Sequence, residues 1–188
     1  MSRQETRAEL GEASRLPSTD SRHNLRLATF NDLDREEAME VLRPCLDVER
    51  WLAAVADGRP YDSLSDLENA AREAAEPLTT EEVEGALAHH PRIGERAAGS
   101  SAEATLSRSE QAGLQTSDDV LARLDAGNRA YEERFGRVFL IRAAGRSSEE
   151  LVTALEARLG NDPDTEDRIV AEQLREIALL RLAGRVIE

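Results

Sequence analysis

The chain has 188 residues, a formal net charge of −14 and 24 basic side chains, every one of them arginine. That length suits one domain with a sizeable core, and the acidic balance excludes a nucleic-acid binder, whose footprint must be cationic to displace counterions. The absence of lysine rules out an internal aldimine with pyridoxal phosphate, a Schiff-base nucleophile and a phosphate-loop lysine.

Residues 1 to 24 are rich in Arg, Glu, Ser and Thr and show no apolar period, so they read as a disordered extension before a helical domain over 25–188. They hold no apolar signal region, and no later segment is long and apolar enough to span a bilayer; both point to a cytoplasmic protein without a membrane partner. Helical patterning begins at Leu25. Asn31 or Asp32 is positioned to cap a helix to about Arg43, with Phe30 as its staple and Pro44 as its stop. Cys45 is alone, which excludes a disulfide, a Cys-rich zinc site and a redox pair; among Val41, Leu42 and Leu46 it reads as a small core residue.

Further helices are expected over Val48 to Ala56 and Ser65 to Glu76, with stops at Gly58–Pro60 and Pro77. Thr79-Thr80-Glu81-Glu82 is a capping box that opens a short helix towards His89. A Gly/Ala/Ser stretch from Ala97 to Ala102 then leads to a helix at Ser107. Ser117 opens a long helix to Phe135, closed by Gly136, and Val138 to Ile141 reads as extended backbone. Ser147 caps a helix to Leu159, and a last one runs from Asp164 or Thr165 to about Val186. The six aromatic residues and the abundance of Ala, Leu, Glu and Arg agree with this all-α reading: one compact bundle of about seven to nine helices.

Two runs carry candidate chemistry. In His90-Pro91-Arg92-Ile93-Gly94 the proline pushes His90 out of the α region and places an imidazole at a helix end. Its unperturbed pKa, about 6.5, suits proton transfer at working pH; alternatively it is a surface turn histidine beside a helix C-terminus. His89 and His90 diverge on a helix and His23 lies in the tail, so no metal site is expected. In Ser107-Arg108-Ser109-Glu110-Gln111 a hydroxyl and a carboxylate share one helical face. The same spacing also fits a capping box, in which Glu110 would curl back on Ser107. On the terminal helix Arg181 falls on the stripe of Val170, Leu174, Ile177 and Ala178. There it either lines an anion-receiving cavity or pairs with a structural carboxylate.

These runs resemble the 2-oxo-4-hydroxy-4-carboxy-5-ureidoimidazoline (OHCU) decarboxylase family. The resemblance rests on four blocks: His90-Pro91-Arg92-Ile93-Gly94; Ser107-x-x-Glu110-Gln111-x-Gly113-Leu114; Asn128-x-x-Tyr131-x-x-x-Phe135-Gly136-x-x-Phe139-Leu140-Ile141; and Leu180-Arg181-Leu182. Asn31-x-Leu33, Cys45 and Trp51 are similar too. The resemblance implies an all-helical carboxy-lyase of urate degradation that needs no cofactor or metal and acts on a small-molecule ureide, with a homodimer as its assembly. It implies that His90 and Glu110 are catalytic as an acid–base dyad, Glu110 holding His90, and that Pro91, Ser107, Gln111, Arg181 and the backbone of Leu140, Ile141 and Arg142 bind substrate. Arg142 departs from the small or thiol side chain usual there. A non-catalytic helical interaction module and a related ureide enzyme on the same fold are the alternatives.

Overall fold

The structure, a computed structural model, describes residues 24–88, 90–95, 101–112 and 117–188. The expected disorder of residues 1 to 23 therefore lies outside the described residues, as do His89, Gly113 and Leu114. The described chain forms α1 (Leu27–Asp32), α2 (Arg35–Leu42), α3 (Glu49–Asp57), α4 (Leu64–Ala74), α5 (Thr80–Leu87), α6 (Ala102–Glu110), α7 (Asp118–Phe135), α8 (Ser148–Arg158) and α9 (Pro163–Arg185). Local chemistry starts and stops most of them. Thr79 and Ser147 build the reciprocal capping boxes that the sequence predicts, with Glu82 and Glu150 as partners. Gly136 ends α7 at φ +69°, a left-handed conformation that costs glycine nothing.

Two expectations for the N-terminal segment need correction. Asn31 caps nothing: its Nδ2 donates to the Tyr61 carbonyl at 2.9 Å and its Oδ1 accepts from the Tyr61 N–H at 3.0 Å. Nor does Asp32 cap; it ends α1, and the cap of α2 is Asp34, which completes a box with Glu37. Leu25 is not helical either. Leu25–Arg26 (β1) pairs in parallel with Val186–Ile187 (β2), joining the two ends of the domain. The β-branched pair after α9 favours extended backbone, but the pairing itself is a tertiary fact.

Two apolar cores result. The first gathers α1 to α5 around one face of α9, with Phe30, Trp51, Leu52 and Val55 fully buried. Each such side chain contributes about 1.5–3 kcal/mol by leaving water. Trp51 satisfies its indole by donating to the Ala71 carbonyl at 2.8 Å. The second core joins α7 and α8, with Ile93, Phe139 and Ile141 added from connecting segments. Gly127 permits that contact: a Cβ there would lie 2.5 Å from Leu155 Cδ2.

Helix α9, packed on the first core by its apolar stripe, is fastened to the second through charge. Glu166, fully buried, accepts from Arg158 Nε at 2.8 Å, from Asn161 Nδ2 at 2.7 Å and from the Tyr131 hydroxyl. Arg158 also donates to the Leu140 carbonyl at 2.7 Å and lies 4.6 Å over the Phe139 ring. Burial pushes the Glu166 carboxyl up, but the bonds from Arg158, Tyr131 and Asn161 outweigh it and hold the carboxyl below its usual range. Removing one partner of a buried pair strands the other, so Glu166→Ala is expected to cost about 3–5 kcal/mol in urea unfolding at neutral pH. The sign with pH follows. A lowered carboxyl stabilises above the ordinary carboxylate pKa and stops doing so as pH falls through the lowered value, so the cost of Glu166→Ala shrinks on acidification.

Candidate active site

The site is assembled where α5 ends, α6 ends and α9 passes both. After Leu87 the chain turns: the His90 N–H donates to the Leu87 carbonyl at 2.9 Å, and the His90 Nδ1 lies 3.0 Å from the Ala86 carbonyl. A carbonyl only accepts, so Nδ1 carries the proton and Nε2 is the nitrogen whose protonation can change. Pro91 prevents the helix from resuming, and Ile93 then enters the second core. Gly94, at φ +88°, finishes the turn. His90 thus sits on a segment that begins in one core and ends in the other.

Helix α6 does not begin at Ser107. Its N-cap is Ser101, whose hydroxyl accepts from the Ala104 N–H at 3.1 Å, and the helix starts within the stretch expected to be loop. Ala102 to Leu106 includes good helix formers, so the nucleus lies one turn earlier than the polar spacing suggests. The capping-box reading of Ser107 and Glu110 falls with it. Both stand on the last turns of α6, three residues apart on one face, and both meet Arg181.

Arg181 is 4% exposed and uses its fork almost completely. Nε donates to Glu110 Oε1 at 2.6 Å, and Nη2 donates to Glu110 Oε2 at 3.0 Å and to the Ser107 hydroxyl at 3.2 Å. Nη1 donates to the Pro44 carbonyl at 3.1 Å. Of five N–H groups, four are thereby engaged, and the fifth, on Nη1, has no partner among the described residues. The pairing with a carboxylate holds, and the paired guanidinium also lines a cavity of 170 Å³ together with His90, Ala86, Pro44, Cys45 and Arg43, and with the carboxylates Asp47 and Glu103.

The remaining candidates are placed less directly. Gln111 Oε1 accepts from the Gly94 N–H at 3.1 Å, which ties α6 to the histidine turn. Leu140 to Arg142 belong to neither a helix nor a strand and lie outside the lining of this cavity. The Leu140 carbonyl is taken by Arg158, and the Arg142 N–H donates to Gln173 at 2.9 Å. Ile141 packs in the same core as Ile93. Sequence reasoning missed Pro44 as a partner of Arg181, although a carbonyl just beyond α2 has no helical donor and must find one elsewhere. Cys45, read as core, is buried, and burial pushes its thiol up to about 12. Among the described residues no group of three or more His, Cys, Asp or Glu could hold a metal, and no helix is long and apolar enough to cross a membrane.

A family model described as OHCU decarboxylase matches residues 31–183, a span that contains every site residue named above. The chain belongs to the OHCU decarboxylase family. It is 36% identical over 159 residues to 2-oxo-4-hydroxy-4-carboxy-5-ureidoimidazoline decarboxylase of Amia calva, covering 81% of this chain and 89% of that protein. It is 31% identical to the enzyme of the same name from Haloferax volcanii, covering 87% of this chain and 97% of that one. A crystal structure of OHCU decarboxylase in the presence of (S)-allantoin superposes with a TM-score of 0.63 at 25% identity, over 75% of this chain and 93% of that one.

In this OHCU decarboxylase-family chain the Glu110 carboxylate holds α6 on α9, which a helix cap would not do. Glu110→Gln keeps one acceptor for the fork and loses the charge-assisted second bond. It is expected to cost about 1–3 kcal/mol, read as a shift in the urea midpoint at unchanged slope. A midpoint unchanged from wild type would return Glu110 to a merely local role.

Proposed function

We propose that this chain decarboxylates OHCU to (S)-allantoin and CO2, with His90 exchanging the proton and the Arg181–Glu110–Ser107 cluster holding the substrate. The observation that carries the reading is the convergence of His90 and Arg181 on one small cavity in a chain of this family. The related proteins named for OHCU decarboxylation at 31–36% identity supply the substrate class. The alternatives, an inert interaction module and a sister ureide enzyme, have no comparable support.

The chemistry asks little of a cofactor. The bond from the ring carbon to its carboxylate breaks, CO2 departs, and the electron pair passes into the adjacent π-bond of the ring. A solvent proton neutralises the ring nitrogen that receives the charge. The hydroxyl on the former carboxyl-bearing carbon then becomes a carbonyl by losing its proton to His90 Nε2, and that proton goes to the neighbouring ring carbon on one face. The Nδ1 contact with Ala86 suits this role, since it fixes the tautomer in which neutral Nε2 can accept.

Arg181 supplies the fixed positive charge. Its fork is already held by Glu110, Ser107 and Pro44, so no reorganisation is needed when negative charge develops beside it. The second Nη1 N–H, which has no partner among the described residues, is the donor we assign to a substrate oxygen, and the Ser107 hydroxyl and Gln111 amide read the ureide's polar edge. Pro91, outside the lining of the cavity, is assigned to the substrate's edge beside His90. On the Leu140–Arg142 side the Ile141 peptide group is assigned to the amide edge, because its neighbours' groups are engaged by Arg158 and Gln173.

The test is to generate OHCU in place from urate with urate oxidase and hydroxyisourate hydrolase and to follow (S)-allantoin by circular dichroism. Wild type should accelerate formation of one enantiomer, and His90→Asn should lower the rate by about 10²–10⁴. His89→Asn should stay within a few-fold of wild type. A wild-type protein without effect on the coupled reaction would overturn the reading, and full activity in His90→Asn would remove His90 from it.

A further inference from the structure

The histidine turn is fastened at three consecutive residues, and two of the fasteners stand on one face of α7. The Arg92 fork grips the Glu132 carboxylate with both contacts at 2.5 Å, across 40 positions of sequence. Asn128 Nδ2 donates to the Ile93 carbonyl at 2.9 Å, from a site only 3% exposed. Gln111 takes the Gly94 N–H from the other side. Asn128 and Glu132 are four residues apart, so they lie one turn apart on the same face of α7. Upstream, Ala86 and Leu87 hold His90 itself.

Asn128 carries a second signal. Its Oδ1 is buried and has no hydrogen-bond partner among the described residues. A buried acceptor left unsatisfied is unfavourable, and an apolar side chain of similar size would avoid that cost. An amide at this position makes sense only for its donor, which fixes the Ile93 carbonyl two peptide units beyond Pro91. Glu132 is only partly buried, and its bidentate geometry fixes direction as well as distance.

We propose that Asn128 and Glu132 are positioning residues for the decarboxylation: α7 clamps Arg92 and Ile93 and thereby sets the orientation of the His90 imidazole over the cavity. The proposal rests on the catalytic role assigned to His90. Neither side chain lines that cavity, so their influence runs through the turn. Misplacing a catalytic group by a fraction of a bond length slows chemistry while leaving substrate affinity nearly intact.

The experiment compares Asn128→Ala, Glu132→Gln and His90→Asn with wild type by kcat, KM, melting temperature and the nitrogen NMR signature of the His90 ring. With three histidines in the chain, the His90 signals are assigned by difference from His90→Asn. Glu132→Gln keeps size and partial exposure, so it tests the clamp even if Asn128→Ala fails to fold. The expected result is a fall in kcat of at least about tenfold, with KM within about threefold and a folded protein. The His90 ring should shift from a single Nδ1-protonated tautomer to a mixture. If His90→Asn is inactive while Glu132→Gln keeps wild-type kcat and a single tautomer, the clamp is wrong and the role of His90 stands. If His90→Asn is fully active, the reading of the site has failed and the clamp's catalytic role goes with it. A rate loss matched by the loss of folded protein, with the His90 signature unchanged, also overturns the proposal.

Discussion

A guanidinium placed on the apolar stripe of a helix cannot be left alone, and this domain is arranged around meeting that demand. Arg181 is almost fully buried, and an unpaired charge there would carry a prohibitive desolvation cost. It draws in the end of α6 through Glu110 and Ser107 and the turn after α2 through Pro44. About 22 Å earlier along α9 (15 residues at 1.5 Å each) Glu166 makes the complementary demand, met by Arg158, Tyr131 and Asn161. One helix therefore carries two buried charges of opposite sign, each fastening a different part of the chain. The apolar cores supply the bulk of the stability; the charges decide which elements meet.

That arrangement lets a structural pair coincide with the reactive site proposed for this chain. The partners that make burial of Arg181 tolerable also hold its fork rigid, and a rigid cation at the edge of a small cavity suits the proposed stabilisation of the negative charge that develops on the ring as CO2 leaves. His90 reaches the same cavity by a different route, from a proline-stopped helix end whose turn bridges the two cores. Neither element could be placed by local preference alone. The turn needs the second core for Ile93, and Arg181 needs α6. The site is a product of the tertiary fold, although every residue in it is visible in the sequence.

The legibility of the chain follows from the range of the forces involved. Capping at Thr79, Ser117 and Ser147, the stop at Gly136 and the non-helical run before Ala143 are set by neighbours within four residues, and all could be read directly. Asn31 misled because its side chain is used 30 positions away on Tyr61, a use that no local rule contains. Ser107 misled in the opposite sense: its spacing to Glu110 imitates a helix start, while Arg181, 74 positions on, is what it faces. The parallel pairing of Leu25–Arg26 with Val186–Ile187 was invisible for the same reason. His90, Glu110 and Arg181 were individually legible; that Glu110 grips Arg181 with both oxygens was not.

The central claim is that one fork serves both fold and chemistry, and Arg181→Lys tests it most directly. An ammonium is a point charge that cannot reproduce the planar, bidentate engagement of Glu110 while also reaching Ser107 and Pro44. Melting temperature and turnover per folded molecule should be measured on the same preparation. The account predicts that both fall, turnover by at least about tenfold, and that added allantoin raises the melting temperature of wild type much more than that of the variant. A variant that melts earlier yet turns over OHCU at the wild-type rate per folded molecule would contradict it.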